Sequence, residues 1–159
     1  MAQDKTDFNN TGATNAPAIG KNALYIDTRM GYRVADFDFT VLGGTTETDA
    51  KKTETLLGAE VRYAGVENLN LAAAYYSMDY DKETSNTVAL AAEYQLDVVA
   101  LAAGYSFSSS DVKAVEDLNT WYVNAGYPIA PNTTAYVEVG GDDKENNQTG
   151  LAIGVKAEF

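Results

Sequence analysis

From residue 22 onward, apolar and polar positions alternate along the chain with a period of two. In the stretch 22–34, for example, Leu24, Ile26 and Met30 fall on one face and Asp27, Arg29 and Arg33 on the other. Such alternation is typical of β-strands with one apolar face. It predicts nine antiparallel strands, at 22–34, 36–44, 54–63, 68–79, 86–96, 98–108, 118–127, 134–142 and 149–159.

Aromatic residues recur near the ends of alternate strands, at intervals of 31 to 33 residues: Tyr32, Tyr63, Tyr94, Tyr127 and Phe159. A pair of membrane strands of about ten residues each, with a loop and a turn, consumes a similar length of chain. One aromatic side chain per hairpin therefore returns to the same height, as rings at a membrane interface do. The pattern predicts a transmembrane outer-membrane β-barrel formed by residues 21–159, preceded by a polar loop or N-terminal arm at 1–20.

A soluble β-sandwich also alternates, so strand length and composition must separate the two architectures. Sandwich strands usually have about five or six residues, and their buried faces carry bulky side chains. Here the predicted strands have about ten residues, and the polar face is often Ala, Gly, Ser or Asn. These features favour the membrane barrel.

The predicted connections alternate between short turns and longer polar loops. The short ones are 34–36, 64–67, 96–97 and 128–133, and the longer ones are 44–53, 79–85, 108–117 and 141–148. Bacterial barrels have short periplasmic turns and longer outer loops. We therefore expect the aromatic series on the periplasmic side and the acidic loops on the outer side.

Composition excludes several classes of function. The net charge is −12, with 23 acidic and 11 basic residues, which disfavours nucleic-acid binding because phosphate contacts need clustered Lys and Arg. The chain contains no His and no Cys, so nucleophile activation by imidazole, thiolate chemistry and His-ligated zinc are absent. We expect no enzyme, no catalytic residue, no metal site and no cofactor.

An odd number of strands conflicts with the even number in bacterial single-chain barrels. Either earlier strands of a larger barrel lie outside this sequence, or the barrel has eight or ten strands. An eight-stranded barrel is just wide enough to be filled by side chains. The predicted inner faces of the fourth to sixth and ninth strands offer mostly Ala, Gly and Ser, which favours a wider barrel.

Several segments resemble Gram-negative general-diffusion porins of the Vibrio type. They are 69–76 (LNLAAAYY), 94–101 (YQLDVVAL), 127–133 (YPIAPNT) and the ending 150–159 (GLAIGVKAEF). The resemblance implies the last nine strands of a sixteen-stranded porin in the bacterial outer membrane, with passive diffusion of small hydrophilic solutes and ions as its function. It also implies a homotrimer in lipid and lipopolysaccharide, and recognition of Phe159 by the barrel-assembly machinery. Whether a second chain supplies the missing strands stays open.

Charged residues on the predicted inner face are the candidate pore-lining residues: Asp27, Arg29, Arg33, Asp36, Asp38, Glu60, Arg62, Glu93, Lys156 and Glu158. Charged rings tune the selectivity of pores, and Arg29 with Arg62 would form the basic side of a transverse field. The alternative is that these charges pair with each other and only keep the lumen hydrated.

The acidic outer loops also allow two interpretations. Carboxylates could hold divalent cations that bridge to lipopolysaccharide, and the candidates are Asp79, Asp81, Glu83, Asp142, Asp143 and Glu145. Their spacing lacks a Ca²⁺-loop pattern, which favours solvated surface charge.

Two other functional classes remain open from the sequence. One is a small eight-stranded structural or adhesion barrel without an open pore, whose loops carry the activity. The other is a C-terminal barrel fragment that is captured by the insertion machinery or by a periplasmic chaperone.

The acidic balance generates a first prediction. A channel containing this chain should show a weak preference for cations, because net negative charge attracts counter-ions. The measurement is the reversal potential of the intact assembly in a salt gradient, and a potential that favours anions would refute the prediction.

Overall fold

The structure, a computed structural model, describes residues 2–3, 24–47, 53–113, 115–144 and 149–158. It contains nine long β-strands and one two-residue strand. In chain order they are β1 (Ala2–Gln3), β2 (Leu24–Val34), β3 (Phe37–Glu47), β4 (Thr53–Val66), β5 (Leu69–Tyr80), β6 (Glu83–Leu96), β7 (Val99–Ser110), β8 (Leu118–Ala130), β9 (Thr133–Asp142) and β10 (Gly150–Ala157).

All strands belong to one sheet in which each pairs with the next along the chain. Every pairing is antiparallel, so the chain forms an up-and-down meander. Among the described residues, β10 pairs only with β9, and the other edge of the sheet is β1. The predicted all-β architecture with nine antiparallel strands is confirmed, and β1 adds a short tenth strand.

The predicted arm at 1–20 lies almost entirely outside the described residues. Within it the structure describes only β1, whose two residues pair with Leu24 and Tyr25. The division of the chain at residue 20 therefore stays a prediction. Within the part of the chain that is described, no helix is long and apolar enough to span a membrane.

One face of the sheet is apolar and exposed. Large side chains that stand at every second position remain accessible, among them Met30 (68 %), Leu90 (55 %) and Ile153 (78 %). None of the described large side chains is fully buried. A single-layer sheet of this kind has no interior of its own, so its apolar face requires a lipid environment.

The opposite face is polar, and its centre is built from small residues. In register across β5, β6 and β7 lie Ala72, Ala91 and Gly104, with Ala74 and Ala89 one step away. These residues are partly occluded, as expected on the concave side of a curved sheet. The small side chains leave open space above this face.

Four short turns lie at one end of the sheet, called here the turn end. They fall between β2 and β3, β4 and β5, β6 and β7, and β8 and β9, and each contains a residue in the left-handed region: Ala35, Asn68, Asp97 and Asn132. Asn and Asp tolerate this conformation because their short polar side chains bond locally. The opposite end, called the loop end, carries the remaining connections.

Two predicted connections are corrected by the structure. The predicted long loop 79–85 is a tight turn at Asp81 and Lys82, because β5 continues to Tyr80 and β6 begins at Glu83. The left-handed conformation of Asp81 (φ 61°) makes this turn possible. The predicted turn 128–133 is shorter than expected, because β8 continues through a bulge after Pro128 to Ala130.

The assignment of faces generates a second prediction. Leu90 lies on the apolar face near the middle of β6, and its neighbour Ala91 lies on the polar face. Leu90→Arg should sharply reduce the protein recovered in the outer-membrane fraction, since an arginine on the lipid face costs about 2–4 kcal/mol near the bilayer centre.

Ala91→Arg is the matched control, because it introduces the same side chain one position away. It should leave the recovered amount close to that of the unsubstituted protein. Equal recovery of the two variants would contradict the assignment of faces.

Candidate functional site

Eight of the ten predicted pore-lining residues lie on strands, spread over β2, β3, β4, β6 and β10. The exceptions are Asp36, which lies in the β2–β3 turn, and Glu158, which follows β10. The register brings Arg33, Asp38 and Arg62 into one row across β2, β3 and β4. Seven of the ten charges therefore lie on one flank of the sheet, formed by β2, β3 and β4, beside the floor of small residues. Glu93, Lys156 and Glu158 lie apart from this flank.

Glu60 is the centre of the first contact cluster on this flank. Its Oε2 accepts a hydrogen bond from Arg29 Nη2 at 3.1 Å, which spans the intervening strand β3. Its Oε1 accepts a hydrogen bond of 2.5 Å from the hydroxyl of Tyr76. The Glu60 side chain is only 17 % exposed, so these two donors replace much of its water.

A glycine allows Tyr76 to reach Glu60. The Tyr76 ring lies across Gly58, where an added Cβ atom would stand 2.7 Å from ring atom Cδ1. Such a distance is far inside van der Waals contact, so any larger residue at 58 would displace the ring. The glycine thus positions the phenol beside the carboxylate.

Two further ion pairs hold predicted pore-lining residues. Arg33 makes two hydrogen bonds to Asp38, from Nε to Oδ1 and from Nη2 to Oδ2 (3.0 Å). Lys156 Nζ lies 2.8 Å from Glu158 Oε1. Exposed ion pairs contribute little stability, at most about 1 kcal/mol. Their main effect here is to place charge of both signs at fixed positions.

Arg62 differs from Arg29 and Arg33. Its guanidinium makes no hydrogen bond or ion pair within the described part of the chain, although Asp38 lies opposite it in the ladder. Arg62 is exposed on the polar face. It therefore presents free hydrogen-bond donors to whatever occupies the space above the sheet.

Several polar-face residues were not among the predicted pore-lining residues, although their strands were predicted correctly: Asn70, Tyr76, Tyr122, Asn124 and Glu138. Glu93 accepts a hydrogen bond from Asn70 at 3.3 Å, and Asn124 makes the equivalent bond to Glu138 at 3.2 Å. Tyr76 and Tyr122 also lie on this face. Strict alternation would have found them, since each follows an aromatic residue of the apolar face, Tyr75 and Trp121.

Four of the five predicted interface aromatics lie within the described residues, each two or three positions from the turn end of its strand. Tyr32, Tyr94 and Tyr127 are exposed by 68 %, 45 % and 52 %. The ring of Tyr63 packs against Phe37 with centroids 4.6 Å apart. Phe159 lies outside the described residues. A role for these rings at the membrane interface stays a prediction.

Two of the acidic residues predicted for the outer loops accept hydrogen bonds from neighbouring protein groups. Asp79 accepts a hydrogen bond of 2.7 Å from Thr84 Oγ1. Asp143 accepts two bonds from Asn119, one from the backbone amide at 2.8 Å and one from the side-chain amide. Within the described residues, no group of three or more acidic side chains could hold a metal ion; Glu145 falls outside them. This arrangement is typical of solvated loops with local hydrogen bonds.

Comparison with known proteins identifies the family. The sequence profile of the Gram-negative porins matches residues 2–147. The chain is 26 % identical over 168 residues to porin-like protein H of Photobacterium profundum, an alignment that covers 92 % of this chain and 52 % of that protein.

Solved porin structures share the fold. One porin superposes with a TM-score of 0.75 at 11 % identity, covering 88 % of this chain and 53 % of the other. The trimer form of OmpT, an outer membrane protein of Vibrio cholerae, gives a TM-score of 0.64 at 19 % identity over 77 % of this chain and 46 % of that one.

The chain therefore belongs to the Gram-negative porin family, and its fold is that of an outer-membrane porin barrel wall. This membership places the protein in the bacterial outer membrane. The chain spans about half the length of porin-like protein H and of the matched porin structure.

The Asp143 contact generates a third prediction. Hydrogen bonds from Asn119, chiefly from its backbone amide, hold the pKa of the Asp143 carboxyl below its usual value. A lowered folded-state pKa means that this carboxylate stabilises the fold above its unfolded pKa, and that the contribution is lost as the pH falls through the folded pKa.

Asp143→Ala should therefore lower the thermal unfolding midpoint at neutral pH, and the difference should shrink in acid. Heat-dependent mobility of the protein on gels, measured across pH, follows this midpoint. Glu116→Ala, which removes another exposed loop acid, is the control. A difference for Asp143→Ala that stays constant down to strong acid would argue against the linkage.

Proposed function

We propose that this chain forms part of the wall of an outer-membrane channel through which small hydrophilic solutes and ions diffuse passively. The observation that carries the proposal is a single-layer sheet with one exposed apolar face and one charged face. A wall between lipid and water needs these two surfaces back to back. In this proposal the chain has no catalytic role.

The ten charged residues named as pore-lining form the solute-facing side of that wall. Arg29 with Glu60 and Arg33 with Asp38 are ion pairs that hold basic groups next to acidic ones. A solute passing this flank meets fixed charges of both signs within a few residues. Such an arrangement orients dipolar solutes and modulates ion selectivity.

Closure of the barrel requires strands beyond those described. Within the described residues, β10 has one neighbour, and an unpaired strand edge in a bilayer leaves backbone groups unsatisfied at a cost of several kcal/mol each. A segment outside residues 24–157 must therefore pair with β10. No feature favours the alternative of a small closed eight-stranded barrel.

Strand direction limits what this segment can be. Because nine long strands alternate, β2 and β10 run in the same direction. Bacterial barrels are antiparallel throughout, so an odd number of strands must separate β10 from β2 around the barrel, and β1, which is antiparallel to β2, is one of them. We propose that this odd number of strands includes β1, and that any others come from elsewhere in a longer chain or from a second chain.

Three further partners belong to this proposal. The exposed apolar face suits outer-membrane lipid, with lipopolysaccharide at the loop end. A homotrimer is supported by the trimer form of the structurally similar OmpT. Recognition by the barrel-assembly machinery through Phe159 rests on the resemblance to porin termini.

The test is single-channel conductance in planar bilayers, a fourth prediction. Protein extracted from outer membranes with its native partners should give stable ohmic steps. The isolated chain, refolded alone, should give none, because its β10 edge lacks a partner. Ohmic steps from the isolated chain would overturn the closure proposal, and silence from the intact assembly would overturn the channel itself.

A further inference from the structure

Two cavities open side by side on the polar face and share a boundary. The first has a volume of about 280 Å³ and reaches Glu60, Ser106 and Thr120. The second has a volume of about 430 Å³ and reaches toward the turn end. Both are lined by Arg62 and Tyr122, so these two side chains flank a continuous groove.

The floor of the groove carries almost no polar groups. The ladder runs from Arg62 through Ala72, Ala91 and Gly104 to Tyr122, one residue on each of five adjacent strands. Side chains between the two flanks are thus methyl groups or hydrogen. A flat ring can approach this part of the wall closely.

Tyr122 forms one side of the groove and provides a flat aromatic surface. Its ring lies across Gly104, where an added Cβ atom would stand 2.6 Å from ring atom Cζ. One side of the ring lies against the wall, and its opposite side is turned toward the space above the sheet. Its hydroxyl makes no hydrogen bond within the described residues, in contrast to that of Tyr76.

Arg62 forms the other side of the groove and provides hydrogen-bond donors. It has five N–H groups in a planar fork, and no described residue accepts from them. Asp36 and Glu93 line the second cavity and offset its charge, so the groove is not strongly basic. The groove therefore combines an aromatic platform, a free guanidinium and nearby carboxylates.

We propose that this groove is a resting site for an oligosaccharide on the pore wall, an inference that rests on the proposed channel function. Arg62 and Tyr122 lie four strand spacings apart, about 19 Å along the sheet. One sugar unit therefore stacks its apolar face on Tyr122 above the alanine floor, and a different unit of the same sugar chain accepts hydrogen bonds from Arg62. Glu60 and Glu93 accept from sugar hydroxyls through lone pairs that their protein donors leave free. A neutral sugar and a sugar acid share this chemistry.

The fifth prediction concerns binding, measured independently of conductance. Protein purified from outer membranes in detergent is titrated with maltotriose and, separately, with trigalacturonate, and saturation-transfer NMR reports the bound sugar. At least one of the two should bind. Tyr122→Ala should weaken that binding by about fivefold, the magnitude expected for loss of one aromatic stacking contact.

Tyr136→Ala is the matched control, because Tyr136 lies on the same face, covers Gly154 in the same way and lines neither cavity. It should leave binding unchanged. Gly104→Ala should weaken binding as Tyr122→Ala does, since the added methyl displaces the ring. Arg62→Gln should weaken the binding of trigalacturonate more than that of maltotriose, because a carboxylate loses a charge-assisted pair.

Absence of binding by both sugars in protein with intact β-structure would overturn the inference. So would binding that Tyr122→Ala and Tyr136→Ala weaken equally. Conductance without sugar binding would overturn the saccharide site alone, whereas binding without conductance would overturn the channel and leave the site standing.

Discussion

Backbone hydrogen bonding in a medium without water is the constraint on which this structure depends. A lipid-exposed amide or carbonyl without a partner costs several kcal/mol, so the chain must pair strand with strand along its membrane-spanning length. The long strands from β2 to β9 meet this requirement with a meander in which each strand bonds the one before and the one after it, whereas β10 has one neighbour among the described residues. No packed core contributes, because none of the described large side chains is fully buried.

The ladder also decides the face of every side chain. A slip of one residue between β4 and β5 would turn Leu71 inward and place Ala72 in lipid. Lipid on one side and water on the other penalise such a slip at every position of the strand. The same alternation places Gly58 and Gly104 on the polar face, where the rings of Tyr76 and Tyr122 lie across them.

Alternation is a local signal, so the sequence predicted the strands and their faces well. It failed at Asp81 and Lys82, where a run of charged residues suggested a loop although the backbone makes a tight turn. It could not predict the contact of Arg29 with Glu60, because these residues lie two strands apart and meet only once the register of β3 is fixed. The alternation could have identified Tyr122 as a polar-face residue, because its neighbour Trp121 lies on the apolar face.

In the proposed channel, pairing on the charged flank would determine which groups a solute can use. Arg29 and Arg33 already donate to carboxylates, so a solute must compete with protein acceptors for them. Arg62 has no such acceptor among the described residues, and its row of the ladder leads over small residues to Tyr122. Because exposed ion pairs add little to stability, the fold does not depend on the paired arginines. In the proposed channel they fix charges of both signs on the wall, and Arg62 would meet a solute without a competing acceptor among the described residues.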